Sequence, residues 1–194
     1  MEQINVKKKS YEILERINSF SLRVKDEKGE DRIVYDFNEN IEGFLDFKFA
    51  YKRLKTCGIN IPTVYELDKK NHRALLEDVK GDTVYDLLRE KNLDEAIIEQ
   101  AFVFNYKARI NRLRLNFDPT CFISQNDKLV YMPFTFTEYI RDEDFTQKEI
   151  RLWFYTNDFK ERLIKDGLPV DKNRLKNEYE RNKEIVLTVV KYFK

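Results

Sequence analysis

The chain has 194 residues, enough for one substantial core or two small lobes, and its 15 Phe, 11 Tyr and one Trp exclude a disordered chain. Charged residues make up 37% but nearly cancel, 36 Lys and Arg against 35 Asp and Glu, so any nucleic-acid or membrane partner must use a local patch. The two cysteines, Cys57 and Cys121, form no Cys-x-x-Cys and have only His72 as a companion, which argues against a zinc site or a disulfide framework and for a reducing cytoplasm.

Residues 1–9 are positive and are followed by no apolar run resembling a signal-peptide core; nor does any run approach the ~20 residues of a membrane span. Short β-rich runs at 11–17, 20–24 and 32–37, with the turn Lys25-Asp26-Glu27-Lys28-Gly29 between them, predict antiparallel strands. From 43 to 56, Phe44, Phe47, Ala50, Tyr51 and Leu54 recur at spacings of three and four and predict a helix, which Gly58 is placed to end. Two further strands, 61–67 and 73–79, flank a polar turn. Gly81 breaks the run and serves as the hinge between an α+β lobe, residues 1–80, and a helical lobe, residues 81–194.

In that second lobe helices are predicted over 84–91 and 95–112, the latter opened by Asp94, and a Pro119 loop leads into a hairpin over 121–124 and 128–132. Residues 146–165 and 171–194 read as helices. The last carries Ile185, Val186, Leu187, Val189, Val190, Tyr192 and Phe193; core packing is the default, and a helix this apolar at a chain end could also dock on a partner or a second copy as a homodimer.

The stretch Tyr51-Lys52-Arg53-Leu54-Lys55-Thr56-Cys57-Gly58-Ile59-Asn60-Ile61-Pro62-Thr63-Val64-Tyr65 is similar to the end of helix C and the following strand of small atypical kinases. Leu75-Leu76-Glu77-Asp78-Val79-Lys80-Gly81-Asp82-Thr83-Val84-Tyr85-Asp86-Leu87-Leu88 resembles their hinge, where a strand ending in an acidic residue crosses through a glycine. Leu115-Asn116-Phe117-Asp118-Pro119-Thr120-Cys121-Phe122-Ile123 resembles the catalytic-loop pattern Gly-Asp-x-x-Pro-x-Asn-Phe, and Lys128-Leu129-Val130-Tyr131-Met132-Pro133-Phe134 the strand leading to Asp-Phe-Gly. The family is the protein-kinase-like superfamily, nearest to the KEOPS-complex kinase subunit, the RIO kinases and the lipopolysaccharide Kdo-kinase group. The resemblance implies one two-lobed domain: a small antiparallel-sheet N-lobe with one helix and a reduced, mostly helical C-lobe.

Phosphoryl transfer needs phosphate-cradling donors, a Lys held by a Glu, oxygen ligands for magnesium and an Asp facing the substrate hydroxyl. Residues 14–24 hold no glycine for a phosphate-covering loop, and Asp36 stands at or beside the strand-three lysine position, where an acid would repel ATP. Helix C presents Phe47 and Asp46 where its glutamate belongs. With Pro119 aligned on the loop proline, Asn116 replaces the catalytic Asp, Cys121 the magnesium-binding Asn, and Pro133 the metal-binding Asp. The resemblance thus implies a pseudokinase, a binding or regulatory module for an unknown protein partner, with no catalytic or metal residue and no cofactor expected. The hinge residues Glu77, Asp78 and Val79 mark where a nucleotide would lie.

Two alternatives stay open. A divergent phosphotransferase acting on a small molecule, a lipid-linked sugar or a protein would use ATP and magnesium, with Asp118 as base; the bland role for Asp118 is to order the Pro119 turn. An RNA-associated accessory protein would use Lys107, Arg109, Arg112 and Arg114, a stretch without an acid that otherwise reads as the solvated end of a helix or an anion or partner patch.

Overall fold

The computed structural model describes residues 2–90, 93–171, 174 and 178–193. These form an α+β protein with five α-helices, and the chain divides into two units, one of residues up to 56 with 60–80, the other of 57–59 and residues from 81 onward. No helix among the described residues is long and apolar enough to cross a membrane.

The first unit holds strands β1 (Gln3–Val6), β2 (Lys9–Arg16), β3 (Ser21–Lys25) and β4 (Asp31–Asp36), helix α1 (Ile41–Thr56), then β5 (Val64–Asp68) and β6 (Arg73–Glu77). They make one antiparallel sheet of order β1-β2-β3-β4-β6-β5, with Val34 opposite Leu75 in the β4–β6 register. The β3–β4 turn closes as its sequence predicts: Gly29 takes φ +81°, and Asp26 Oδ1 accepts the backbone N–H groups of Lys28 and Glu30, each at 2.9 Å. Strand β1 is a finding the sequence did not announce. Only Ile4 and Val6 of its four residues are buried, too short an alternation to stand out beside the lysines that follow.

The sheet curls until its edge strands approach one another. Asp68, buried at the end of β5, accepts the Lys7 N–H at 2.6 Å in the β1–β2 turn, and Arg73 donates to the Asn5 carbonyl at 2.8 Å. Inside the curl Ile4, Val6, Tyr11, Leu22, Val24, Val34 and Leu75 form a buried cluster. The opposite face meets α1 through aromatic edges, Tyr35 on Phe47 at 5.6 Å and Phe37 on Phe44 at 5.7 Å. Successive residues Val34 and Tyr35 thus serve different cores, as the pleat requires.

The second unit contains β7 (Asp82–Thr83), α2 (Val84–Glu90), α3 (Glu95–Ile110), β8 (Leu113–Arg114), β9 (Phe122–Gln125), β10 (Lys128–Tyr131), β11 (Thr137–Glu138), α4 (Asn157–Lys165) and α5 (Glu178–Phe193). Its sheets are β10-β9-β7 and the pair β11-β8. Asp94 caps α3 by accepting the Ala96 N–H at 2.9 Å. Its core is aromatic: Trp153 is fully buried against Phe117, Phe122 and Phe145, and donates its indole N–H to the Phe117 carbonyl at 2.8 Å.

The helix predicted over 146–165 is α-helical only from Asn157; before it lie short 3-10 turns at Arg141–Glu143 and Glu149–Trp153. The buried carboxylate of Asp144 competes with a regular helix here. It accepts the Asn105 amide at 3.0 Å and the N–H and hydroxyl of Thr146 at 2.9 and 2.8 Å, which holds the backbone in a loop. Of the helices predicted over 84–91 and 171–194, residues 91, 172, 173, 175–177 and 194 lie outside the described residues. In α5, Ile185 is buried and Tyr192 stacks on Phe102 at 4.9 Å, while Val186 and Leu187 are exposed.

Candidate functional site

The segment that resembles a catalytic loop runs from β8 to β9. Burial alternates along Leu115-Asn116-Phe117: Leu115 and Phe117 are buried and Asn116 between them is exposed. Asn116 is tied into its own loop and to β10: its side-chain oxygen accepts the Asp118 N–H at 3.0 Å, and its own N–H donates to the Tyr131 hydroxyl at 3.2 Å. Tyr131 in turn donates to the Thr135 carbonyl at 3.0 Å, and burial raises its pKa to about 12.

Asp118 caps the 3-10 turn Pro119–Cys121. Its Oδ1 accepts the N–H of Thr120 at 3.0 Å and the hydroxyl of Thr120 at 2.6 Å; its Oδ2 accepts Arg162 Nη1 from α4 at 2.6 Å. Burial by itself would raise the Asp118 pKa, but the hydrogen bonds from Thr120 and Arg162 outweigh it and hold the carboxyl below its ordinary value. Arg162 continues to Asp166 at 3.2 Å, and Asp166 accepts the Tyr85 hydroxyl from α2 at 2.8 Å. Burial, reinforced by Asp166, lifts Tyr85 to about 12. Cys121 is partly buried, and burial together with the Asp118 charge pushes its thiol to about 11, so it stands protonated at neutral pH and is a poor nucleophile. Pro133, after β10, is half-buried.

Because the unfolded chain binds the Asp118 proton more tightly than the folded one, this carboxylate adds stability above pH ~4, and that contribution fades as pH falls through the lowered folded-state value. Arg162→Ala should therefore flatten the acid limb of the stability–pH profile measured by urea denaturation, with a loss of about 1–2 kcal/mol at pH 7 that shrinks toward acid.

Beside Asn116 lies a small pocket of about 130 Å³, also lined by Arg114, Thr135 and Glu149. Arg114 Nη2 pairs with Glu149 Oε1 at 2.5 Å and Arg114 Nε donates to the Glu143 carbonyl at 2.7 Å. Glu149 Oε2 is buried with no hydrogen-bond partner among the described residues, and burial outweighs Arg114 to keep the Glu149 pKa above its ordinary value. Sequence reasoning missed Glu149. It lies 35 residues from Arg114, and no local pattern signals that pairing.

The four basic residues have different surroundings. Lys107 donates to the Gly58 carbonyl at 2.8 Å, Arg109 lies over the Tyr106 ring at 5.9 Å, Arg112 is exposed at φ +58°, and Arg114 is half-buried in its ion pairs. Arg114→Ala should cost about 2 kcal/mol by chemical denaturation, since it strands the Glu149 carboxylate, whereas Arg112→Ala stays within about 0.5 kcal/mol. Adding Glu149→Ala to Arg114→Ala should cost less than the sum of the single changes.

In the first unit Asp36 faces Arg73 across the β4–β6 ladder, with an ion pair at 3.1 Å. The negative charge expected to repel a phosphate is thus offset within its own sheet. Asp46 on α1 is exposed, and Phe47 beside it is buried in the aromatic layer. Glu77 accepts the Thr63 N–H at 3.1 Å; Asp78, its side chain 7% exposed, pairs with Arg23 at 3.1 Å and with Lys80; Val79 is buried. His72 contacts the Asn38 carbonyl at 3.0 Å in a turn at φ +51°. No group of three or more His, Cys, Asp or Glu side chains among the described residues is arranged to hold a metal ion. No protein-family model matches the chain, and no curated protein matches it.

Proposed function

We propose that this protein is a kinase-like binding or regulatory module of the cytosol that engages a protein partner and does not transfer phosphoryl groups. The element order supports the kinase-like part. Three strands β2–β4, helix α1, strands β5 and β6, the glycine at 81, helices α2 and α3, the Pro119 loop and the β9–β10 hairpin follow one another as the resembling segments would demand. The observation that carries the non-catalytic part is the state of Asp118. It is the sole carboxylate of the 115–122 loop, and both its oxygens are already engaged by Thr120 and Arg162. An acid so bonded is a weak base toward a substrate hydroxyl.

A second reading, a divergent phosphotransferase, is favoured by Glu149. Its raised pKa and its place with Asn116 on a pocket wall are what an acid–base residue needs. Thermal-shift titration with ATP and magnesium or manganese separates the two. A nucleotide at a hundredfold excess over its Kd would stabilise the chain by ~2.7 kcal/mol and raise Tm by roughly 5–10 °C. No shift is expected; a metal-dependent rise that Glu149→Gln leaves intact but without turnover would overturn the first reading in favour of the second.

A further inference from the structure

At the mouth of the curled sheet of the first unit lies a pocket of about 220 Å³. That is below the ~300–1,000 Å³ of sites for drug-sized ligands, yet roughly seven times the ~30 Å³ share of one water. Leu75 and Tyr11, both members of the buried cluster inside the curl, lie among its walls. Tyr11 is only 4% exposed, and its hydroxyl has no hydrogen-bond partner among the described residues. A phenol whose ring is fixed in a core while its hydroxyl is left to a pocket is a preset recognition group.

The charges around it fall into two sets. Arg32 is committed, paired with Asp26 at 3.6 Å and with Glu30 and lying over the Tyr65 ring at 4.7 Å. Asp26 is committed to its turn through the Lys28 and Glu30 N–H groups. Glu66 pairs with Lys7 through one oxygen. The side chains of Glu27, Lys9 and Lys28 are exposed on the pocket wall, and no ion pair engages them among the described residues. The walls carry four carboxylates, Asp26, Glu27, Glu30 and Glu66, against the three cations Lys9, Lys28 and Arg32, so acids prevail; burial first, then Glu66, Asp26 and Glu27, raise the Tyr11 pKa, and the phenol is neutral. Ammonium groups remain at the outer edge.

We infer that this pocket binds a small zwitterion of amino-acid size, its ammonium against Tyr11, Glu27 and Glu66 and its carboxylate toward Lys9 or Lys28. A single cation would leave the two lysines unanswered, and a single anion would meet the negative floor. Every residue belongs to the first unit, so the inference stands or falls independently of any phosphotransfer chemistry.

The test is a thermal-shift screen of the full chain against the twenty common amino acids at millimolar concentration, with butylamine and butyrate as controls bearing one charge each. At least one amino acid should raise Tm saturably while both controls leave it unchanged. Tyr11→Phe should weaken that binding about tenfold, the loss of one charge-assisted hydrogen bond, with the unliganded Tm unchanged or higher because no protein hydrogen bond is removed. Glu27→Gln, at an exposed turn, should weaken it as well. The inference is overturned if no amino acid shifts Tm, if either control does as well as the best of them, or if Tyr11→Phe binds as tightly as the unaltered chain.

Discussion

Trp153→Ala is expected to destabilise the second unit by about 4 kcal/mol, a fall in Tm of roughly 8–16 °C for a chain of this length. The indole is fully buried, with ring centroids of Phe122 and Phe145 at 5.1 and 5.5 Å, so truncation opens a cavity between aromatic side chains that cannot close on it without leaving their rotamers. It also strands the Phe117 carbonyl, which the indole N–H satisfies at 2.8 Å. Phe117 lies between Asn116 and Asp118, so the same change loosens the loop on which the functional reading depends. Trp153→Phe separates the two terms: it keeps most of the volume and loses the hydrogen bond, and should cost about 1–2 kcal/mol. Because Trp153 is the chain's one tryptophan, circular dichroism is the suitable probe. A Trp153→Ala protein as stable as the parent would mean that the aromatic core described here is not the one that holds the unit together.

Gly81→Ala should cost about 3 kcal/mol or more, measured by urea denaturation. Gly81 takes φ +145°, a conformation L side chains rarely adopt, and a Cβ built there would lie 2.1 Å from the Ser124 carbonyl oxygen of β9. The obstacle is backbone, which can move only by disturbing the pairing of β7 with β9, where Asp82 stands opposite Ser124. Gly29→Ala makes the contrast: its φ is +81°, but nothing lies within 4 Å of the added carbon, so only the conformational cost of about 1 kcal/mol applies. Equal losses at the two glycines would show that the close approach to Ser124 carries no weight.

Much of the local structure was legible because it is written in short-range terms. Helix α1 follows from Phe44, Phe47, Ala50 and Leu54 at spacings of three and four, all of them buried, and α3 from Asp94, which caps it as its position predicts. The turn at Asp26 and Gly29 was readable for the same reason, since a side chain bonding two residues on needs no distant partner. Where the prediction failed, at residues 146–156, a long-range bond intervened: Asp144 is held by Asn105, 39 residues away, and its remaining bonding capacity draws Thr146 out of a helix.

The candidate site divides along the same line. By itself the sequence determined which chemical groups are present: Asn116, Asp118 and Cys121 around Pro119, no glycine over residues 14–24, and a mixed-charge turn at residues 25–30. Tertiary structure alone decided what those groups are free to do. Asp118 is held by Arg162, 44 residues on; Arg114 by Glu149, 35 on; Asp36 by Arg73, 37 on; and the Tyr11 hydroxyl has no such partner among the described residues. A carboxylate or guanidinium has the same donors and acceptors wherever it stands in the chain. Its pKa, its charge and its availability are set by the neighbours that folding brings within about 3 Å, and those neighbours come from other strands and helices whose register no local pattern encodes.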